Sequence, residues 1–439
     1  MSKRYVFWRT PEGKPYYGTD GKHAPIEVLA EFGRISNVSP EGNISWSDFG
    51  FERLDVALRL AAAVICPDGE ELNEQDAWAI VRSALTDAVR KKGGKQPLEA
   101  KEVLDSGDRK AADYFRKPDS CYILISSLSV QSLPFTSAEV AGCQIGSIGS
   151  RRSFPYPEHI LTTGGDVIAG HVKSSKYQCV RVKTSGRSVH AAVDKALRAL
   201  NIVRGLWSLF ATFGSWRISF GSTKQDPIGV IHTGPIHTLH YPDHKLVGDI
   251  YWYEPAPNKD RELFPPNGGW KNIEKYRRWA MNRMRTLSYR KELEDLILRY
   301  AAALDQTDHN VALLQMWSIL ERLTNTVGAH HDETVRRTVW LFKDKDLARN
   351  LLDCVRLQRN LYVHAARSAE KPDQATYLIK TFVDPHLFSL IRNDLKVTSL
   401  EEYGQHLSLP TDVTTLHRNK RWFAKAIRIL GNTKGSRNT

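Results

Sequence analysis

The chain has 439 residues, a 41% apolar fraction and a formal net charge of +13. That length allows two or three domains with cores of their own. No apolar run approaches the length of a membrane span, and the opening MSKRYVFWRT lacks the apolar segment of a secretory leader. A cytoplasmic location without a membrane partner is the expectation. The five cysteines (Cys66, Cys121, Cys143, Cys179, Cys354) have no CxxC spacing. They argue against a disulfide framework and a zinc site, so neither metal nor cofactor is expected.

Residues 1–115 are expected to form a mixed N-terminal subdomain. A strand is predicted at 5–8, then a turn at Glu12 and Gly13. Helices are predicted at 51–65 and 73–91. The second carries Glu74 and Asp76 near its start, where free N–H groups favour negative charge. Residues 91–95, with two glycines and three lysines, read as a loop.

Residues 116–265 are expected to form an α/β domain for sensing or recognition. Strands are predicted at 121–130, 177–182, 216–220 and 228–231. A long helix is predicted at 188–213, with an apolar face of Ala192, Leu197, Leu200, Val203, Leu206, Trp207 and Phe210. Gly142, Gly146 and Gly149 surround Cys143, but no Gly-Lys-Ser/Thr follows to make a phosphate loop. That stretch reads as a surface loop beside Arg151 and Arg152. His232, His237, His240 and His244 have no cysteine or patterned carboxylate beside them, and are read as solvent-facing. Most of the scattered tryptophans are assigned to core packing.

Pro265, Pro266, Gly268 and Gly269 then interrupt regular structure. Residues 270–430 are expected to be helical, with helices at 272–304, 309–327, 332–342, 345–366, 372–393 and 411–430. Short connections make this an antiparallel bundle, followed by a flexible tail at 431–439. The fold class is therefore multidomain α+β: a mixed α/β N-terminal region followed by an all-α bundle. From residue 266 onward, 29 Lys/Arg face 19 Asp/Glu. Such an excess suits a phosphate-backbone partner.

The chemistry concentrates in six residues, Arg359, Asn360, Leu361, Tyr362, Val363 and His364. Histidine titrates near neutrality and can give or take a proton. Arginine offers a permanently charged fork for a phosphate. Asn360 lies four residues before His364, on the same helix face. RNA brings its own nucleophile, the 2′-hydroxyl, so the set can cleave RNA without a metal. Arg359 and His364 point roughly 140° apart on an ideal helix, so one copy does not readily set both on one phosphate. Glu321 borders the apolar stripe of helix 309–327 and is expected to pair with Arg359. Tyr362 is expected to pack at an interface rather than contact phosphate, and Arg356 either widens the basic patch or is an exposed solubilising arginine. On the last helix, Arg418, Arg421 and Lys425 are expected to present a basic side to RNA.

The segment Arg359–His364 resembles the motif of HEPN ribonucleases, an arginine, a polar residue, three variable residues and a histidine. Trp317 with Glu321 upstream is similar to the Apea-like HEPN subgroup. The resemblance covers residues 272–430. It implies a metal-independent endoribonuclease in which His364 is the acid–base residue, Arg359 the phosphate clamp and Asn360 a positioning group. Products would carry a 2′,3′-cyclic phosphate and a 5′-hydroxyl, and DNA would be spared. The resemblance also implies a composite cleft between two copies, hence a homodimer or a higher even oligomer. It points to bacterial antiphage defence by abortive infection. A phage-derived trigger sensed by residues 1–265 would release cleavage of tRNA or other RNA. The alternative is a non-catalytic HEPN-like module that binds RNA or protein.

Overall fold

Alternation builds the first strand. In β1 (Val6–Arg9) Val6 and Trp8 are fully buried while Phe7 and Arg9 are partly exposed. The computed structural model describes residues 4–19, 22–46, 50–148, 177–214, 227–253, 263–264, 270–365 and 372–434. After β1 come β2 (Pro15–Tyr16), α1 (Ile26–Arg34), β3 (Ser36–Val38), β4 (Ile44–Trp46), α2 (Phe51–Ala61), β5 (Ala62–Val64), α3 (Glu74–Lys92) and α4 (Ala100–Arg116). The helix expected at 51–65 stops at Ala61. Ala62, Ala63 and Val64 instead pair antiparallel with β1 and are buried on both faces. The second helix starts at Asn73, whose Oδ1 accepts the Asp76 N–H at 3.0 Å, and ends at Gly93 in the left-handed region. Asp108 on α4 accepts the N–H groups of Tyr5 and Val6 at 2.7 and 2.9 Å, which holds β1 in place. Residues 5–115 enclose an apolar core of their own, centred on Leu29, Leu58, Val81, Leu85 and Val103.

The second region contains β6 (Ser120–Leu128), β7 (Ser137–Val140), β8 (Cys143–Ser147), β9 (Gln178–Gly186), α5 (Val189–Thr212), β10 (Ile236–His240) and β11 (Leu246–Tyr253). Its antiparallel sheet has the order β11-β10-β6-β9-β8-β7. Leu124, Leu128, Val180 and Val182 face α5, while Ile123 and Ile125 pack on the opposite face with Cys179. Ser188 caps α5 by accepting the Ala191 N–H at 2.9 Å, and donates to Asp76 of α3 at 2.5 Å.

Several expectations are corrected here. The glycine-containing stretch is a β7–β8 hairpin, turned at Ala141 and Gly142, both with positive φ. Gly149, Arg151 and Arg152 lie outside the described residues, as do the predicted strand 216–220 with Trp216 and the interrupting residues 265–269. Residues 228–231 form no strand. His232, His237 and His240 are buried, not solvent-facing. His237 Nδ1 lies 2.9 Å from Ser126 Oγ, and His240 Nδ1 lies 3.0 Å from the His244 carbonyl.

The helical part comprises α6 (Trp270–Met284), α7 (Arg290–Asp305), α8 (His309–Leu323), α9 (His331–Thr338), α10 (Lys345–Ala365), α11 (Pro372–Arg392), α12 (Leu400–Leu407) and α13 (Val413–Lys434). The single helix expected at 272–304 is two helices. Tyr289 sits at the break and donates to the Leu390 carbonyl at 2.8 Å. One apolar cluster runs from Leu124 to Leu407, so the sheet, α5 and helices α6–α12 share a core. Polar ties are buried within it. Arg204 of α5 forks onto Asp305 at 2.7 and 3.1 Å. Lys380 of α11 reaches the Thr212 carbonyl at 2.8 Å and Asp384 at 2.5 Å, and Tyr300 donates to Asp384 at 2.7 Å. The whole is a mixed α and β protein. Among the described residues no helix is long and apolar enough to cross a membrane.

Candidate active site

The geometry begins with α10. Ala348, Leu352 and Val355 are buried and recur at helical spacing, and Arg359 continues that line. The arginine therefore emerges half-buried at the edge of the helical core. Its Nη1 donates to Asn360 Oδ1 at 3.1 Å. Its Nε is buried with no hydrogen-bond partner among the described residues. His364 lies one turn beyond Asn360 and is exposed, close to the end of the helix at Ala365. Tyr362 is half-buried.

Glu321 does not pair with Arg359. Its Oε1 accepts the indole N–H of Trp317 at 2.7 Å and lies 3.5 Å from His331 Nδ1. The rings of Trp317 and His331 meet edge to face at 5.9 Å. The carboxylate thus completes a buried tryptophan, whose N–H would otherwise lie unpaired in the core. Arg356 is also turned away from the predicted patch. It pairs with Asp332 and, at 3.1 Å, with Asp353. Arg356 holds the exposed Asp332 carboxyl below its usual range.

His331 and Asp332 belong to this neighbourhood, although the sequence places them in an interhelical loop and offers Asp332 only as a helix N-cap. A tight turn after α8 brings them there. Asn325 and Gly328 take positive φ, and a chain of hydroxyls fixes the return, Thr324 to Thr326 at 3.0 Å and Thr326 to Thr334 at 2.8 Å. The asparagine and glycine signal a turn, but its direction depends on those buried hydroxyl contacts. The first cap of α9 is His330 rather than Asp332.

Arg418, Arg421 and Lys425 stand exposed on α13. Among the described residues no hydrogen bond or ion pair joins α13 to α10. The structure therefore gathers Arg359, Asn360 and His364 at one end of α10, with Trp317, Glu321, His331 and Asp332 on the elements beside it. Compared with known proteins, the chain matches no family model, no curated sequence and no solved structure.

Proposed function

We propose that this protein is a metal-independent endoribonuclease whose active unit is a homodimer, acting in bacterial antiphage defence. One observation carries the reading. A half-buried guanidinium has its Nε unpartnered among the described residues and is held by Asn360, the amide one turn before an exposed imidazole. In the reaction, neutral His364 of one copy takes the proton of the 2′-hydroxyl. The freed oxygen bonds to phosphorus. The bond to the 5′-oxygen breaks, and that oxygen takes a proton from the imidazolium of the second copy. Arg359 neutralises the non-bridging oxygens as charge builds on them. Asn360 orients the arginine through its Oδ1, which leaves its NH2 end toward the phosphate.

The outer face of α10 supports the second copy. Leu347, Leu351 and Leu357 are exposed there, and His364 lies on the margin of that apolar strip. The test is incubation of the pure protein with total RNA, tRNA and single-stranded DNA in excess EDTA, beside His364→Ala and Arg359→Ala. The expected outcome is RNA cleavage by the wild type alone, leaving 2′,3′-cyclic phosphate ends and intact DNA. Equal cleavage by all three proteins would sink the proposal.

A further inference from the structure

Among the described residues none buries helix α13. From Val413 to Ile429 no residue is buried, and only Thr415, Leu416 and Asn419 are even partly covered. Its start is fixed. Trp340 donates to the Leu409 carbonyl at 3.1 Å, and Asp412 caps the helix by accepting the Thr415 N–H at 2.7 Å. Beyond that anchor the helix stands free, yet it is strongly two-sided. Leu416, Phe423 and Ile427 line one side with Val413. Phe423 is 63% exposed, Ile427 71% and Ile429 64%. Arg418, Arg421, Lys425 and Arg428 fall within a sector of roughly 80° on the other side. Between residues 413 and 429 there is no carboxylate.

We infer that α13 is an amphipathic helix that lies flat on an anionic lipid surface. Three features select this occupant. The mainly apolar arc, interrupted by Thr415 and Asn419, spans roughly 200° at 100° per residue, from Ile429 and Trp422 round to Val413. A second copy of the helix would cover only the seam of Leu416, Phe423 and Ile427, because a paired coil buries about two positions in seven. Trp422 and Ile429 would remain in water. RNA would engage the basic sector and leave the whole arc exposed. A lipid surface takes both sides at once, with acyl chains against the arc and headgroup phosphates against the arginines. Trp422 sits at the boundary, with the Arg418 guanidinium 5.3 Å from its ring centre, as an interfacial tryptophan does. Lys420 lies inside the arc, and its long stem lets the ammonium rise to the headgroups.

The inference is independent of the ribonuclease reading, and its test uses the full chain. Wild-type protein is spun down with vesicles of phosphatidylcholine, and with vesicles of equal parts phosphatidylcholine and phosphatidylglycerol. At least tenfold more protein is expected to sediment with the anionic vesicles, and the excess is expected to fall as salt is raised. Phe423→Glu with Ile427→Glu, and separately Arg421→Glu with Lys425→Glu, are each expected to abolish the excess. These side chains are exposed among the described residues, so the thermal midpoint of both variants should match the wild type. Equal sedimentation with both vesicle types, or full retention by the Phe423 and Ile427 variant, overturns the inference. A solution dimer that Phe423→Glu splits, without vesicle binding, assigns the face to a second copy. RNA retention lost only in the Arg421 and Lys425 variant, again without vesicle binding, assigns it to RNA.

Discussion

Arg359 and Glu321 show how burial decides what a charged side chain does. If Arg359 clamps phosphate as proposed, a lysine's flexible point charge would lose the fork that grips two oxygens. Arg359→Lys is expected to cut RNA cleavage about 100-fold or more while leaving the fold intact, read by initial rates and circular dichroism. Glu321 supports the neighbourhood from below. Glu321→Leu removes the acceptor of the Trp317 indole, which is 1% exposed. That unpaired N–H is expected to cost about 1–3 kcal/mol in urea unfolding, whereas Glu321→Gln retains an acceptor and most of the stability.

At the scale of elements, periodicity was enough for the long helices and not for their ends or neighbours. α3, α5, α8, α10 and α11 each combine a clear apolar stripe with a start or stop signal, and each lies within a few residues of its expected bounds. β5 was missed because Ala62, Ala63 and Val64 continue an apolar run that reads equally as helix. Only pairing with β1 makes them a strand. α1 and α4 carry glycines at Gly33 and Gly107 that weaken a helical reading. Both glycines are packing devices, since a Cβ at Gly33 would lie 2.2 Å from the Gln96 carbonyl and one at Gly107 2.8 Å from Val6. The six-residue motif and the i, i+4 spacing of Trp317 and Glu321 were legible, but the approach of His331 to Glu321 was not, since the turn held by threonine hydroxyls sets it. Gly205 shows the same effect between helices. A Cβ there would lie 2.9 Å from the Ile297 carbonyl, so α5 and α7 touch backbone to backbone. Gly205→Val is expected to cost about 1–3 kcal/mol by thermal unfolding. On α10, Leu351→Glu with Leu357→Glu is expected to yield a monomer by light scattering and to abolish cleavage, with an unchanged thermal midpoint.

For the whole molecule, His386 couples the helical core to pH. Its ring is buried, 2.9 Å from the Tyr403 hydroxyl and 3.0 Å from the Thr338 carbonyl, and burial pulls its pKa from 6.5 to about 4. Between those values the unfolded chain holds a proton that the folded chain does not. Folding stability therefore drops as pH falls from 6.5 toward 4, by up to about 3 kcal/mol from this residue. Asp384, which burial pushes up to about 6, acts in the opposite sense and offsets part of the loss. The difference between wild type and His386→Gln isolates the histidine. The variant is expected to show a flatter fall of urea midpoint between pH 6.5 and 4.5. The core itself carries a further consequence. Sheet, α5 and helices are joined from Leu124 to Leu407, and α5 is tied to Asp305, Thr212 lying against Lys380. A protease that cut before Trp270 would leave the helices packed on the surface where they rest. Release by clipping, the usual safety catch of a zymogen, is closed to such a chain. On the proposed ribonuclease reading, any restraint on cleavage has to be undone by rearrangement, with every part still attached.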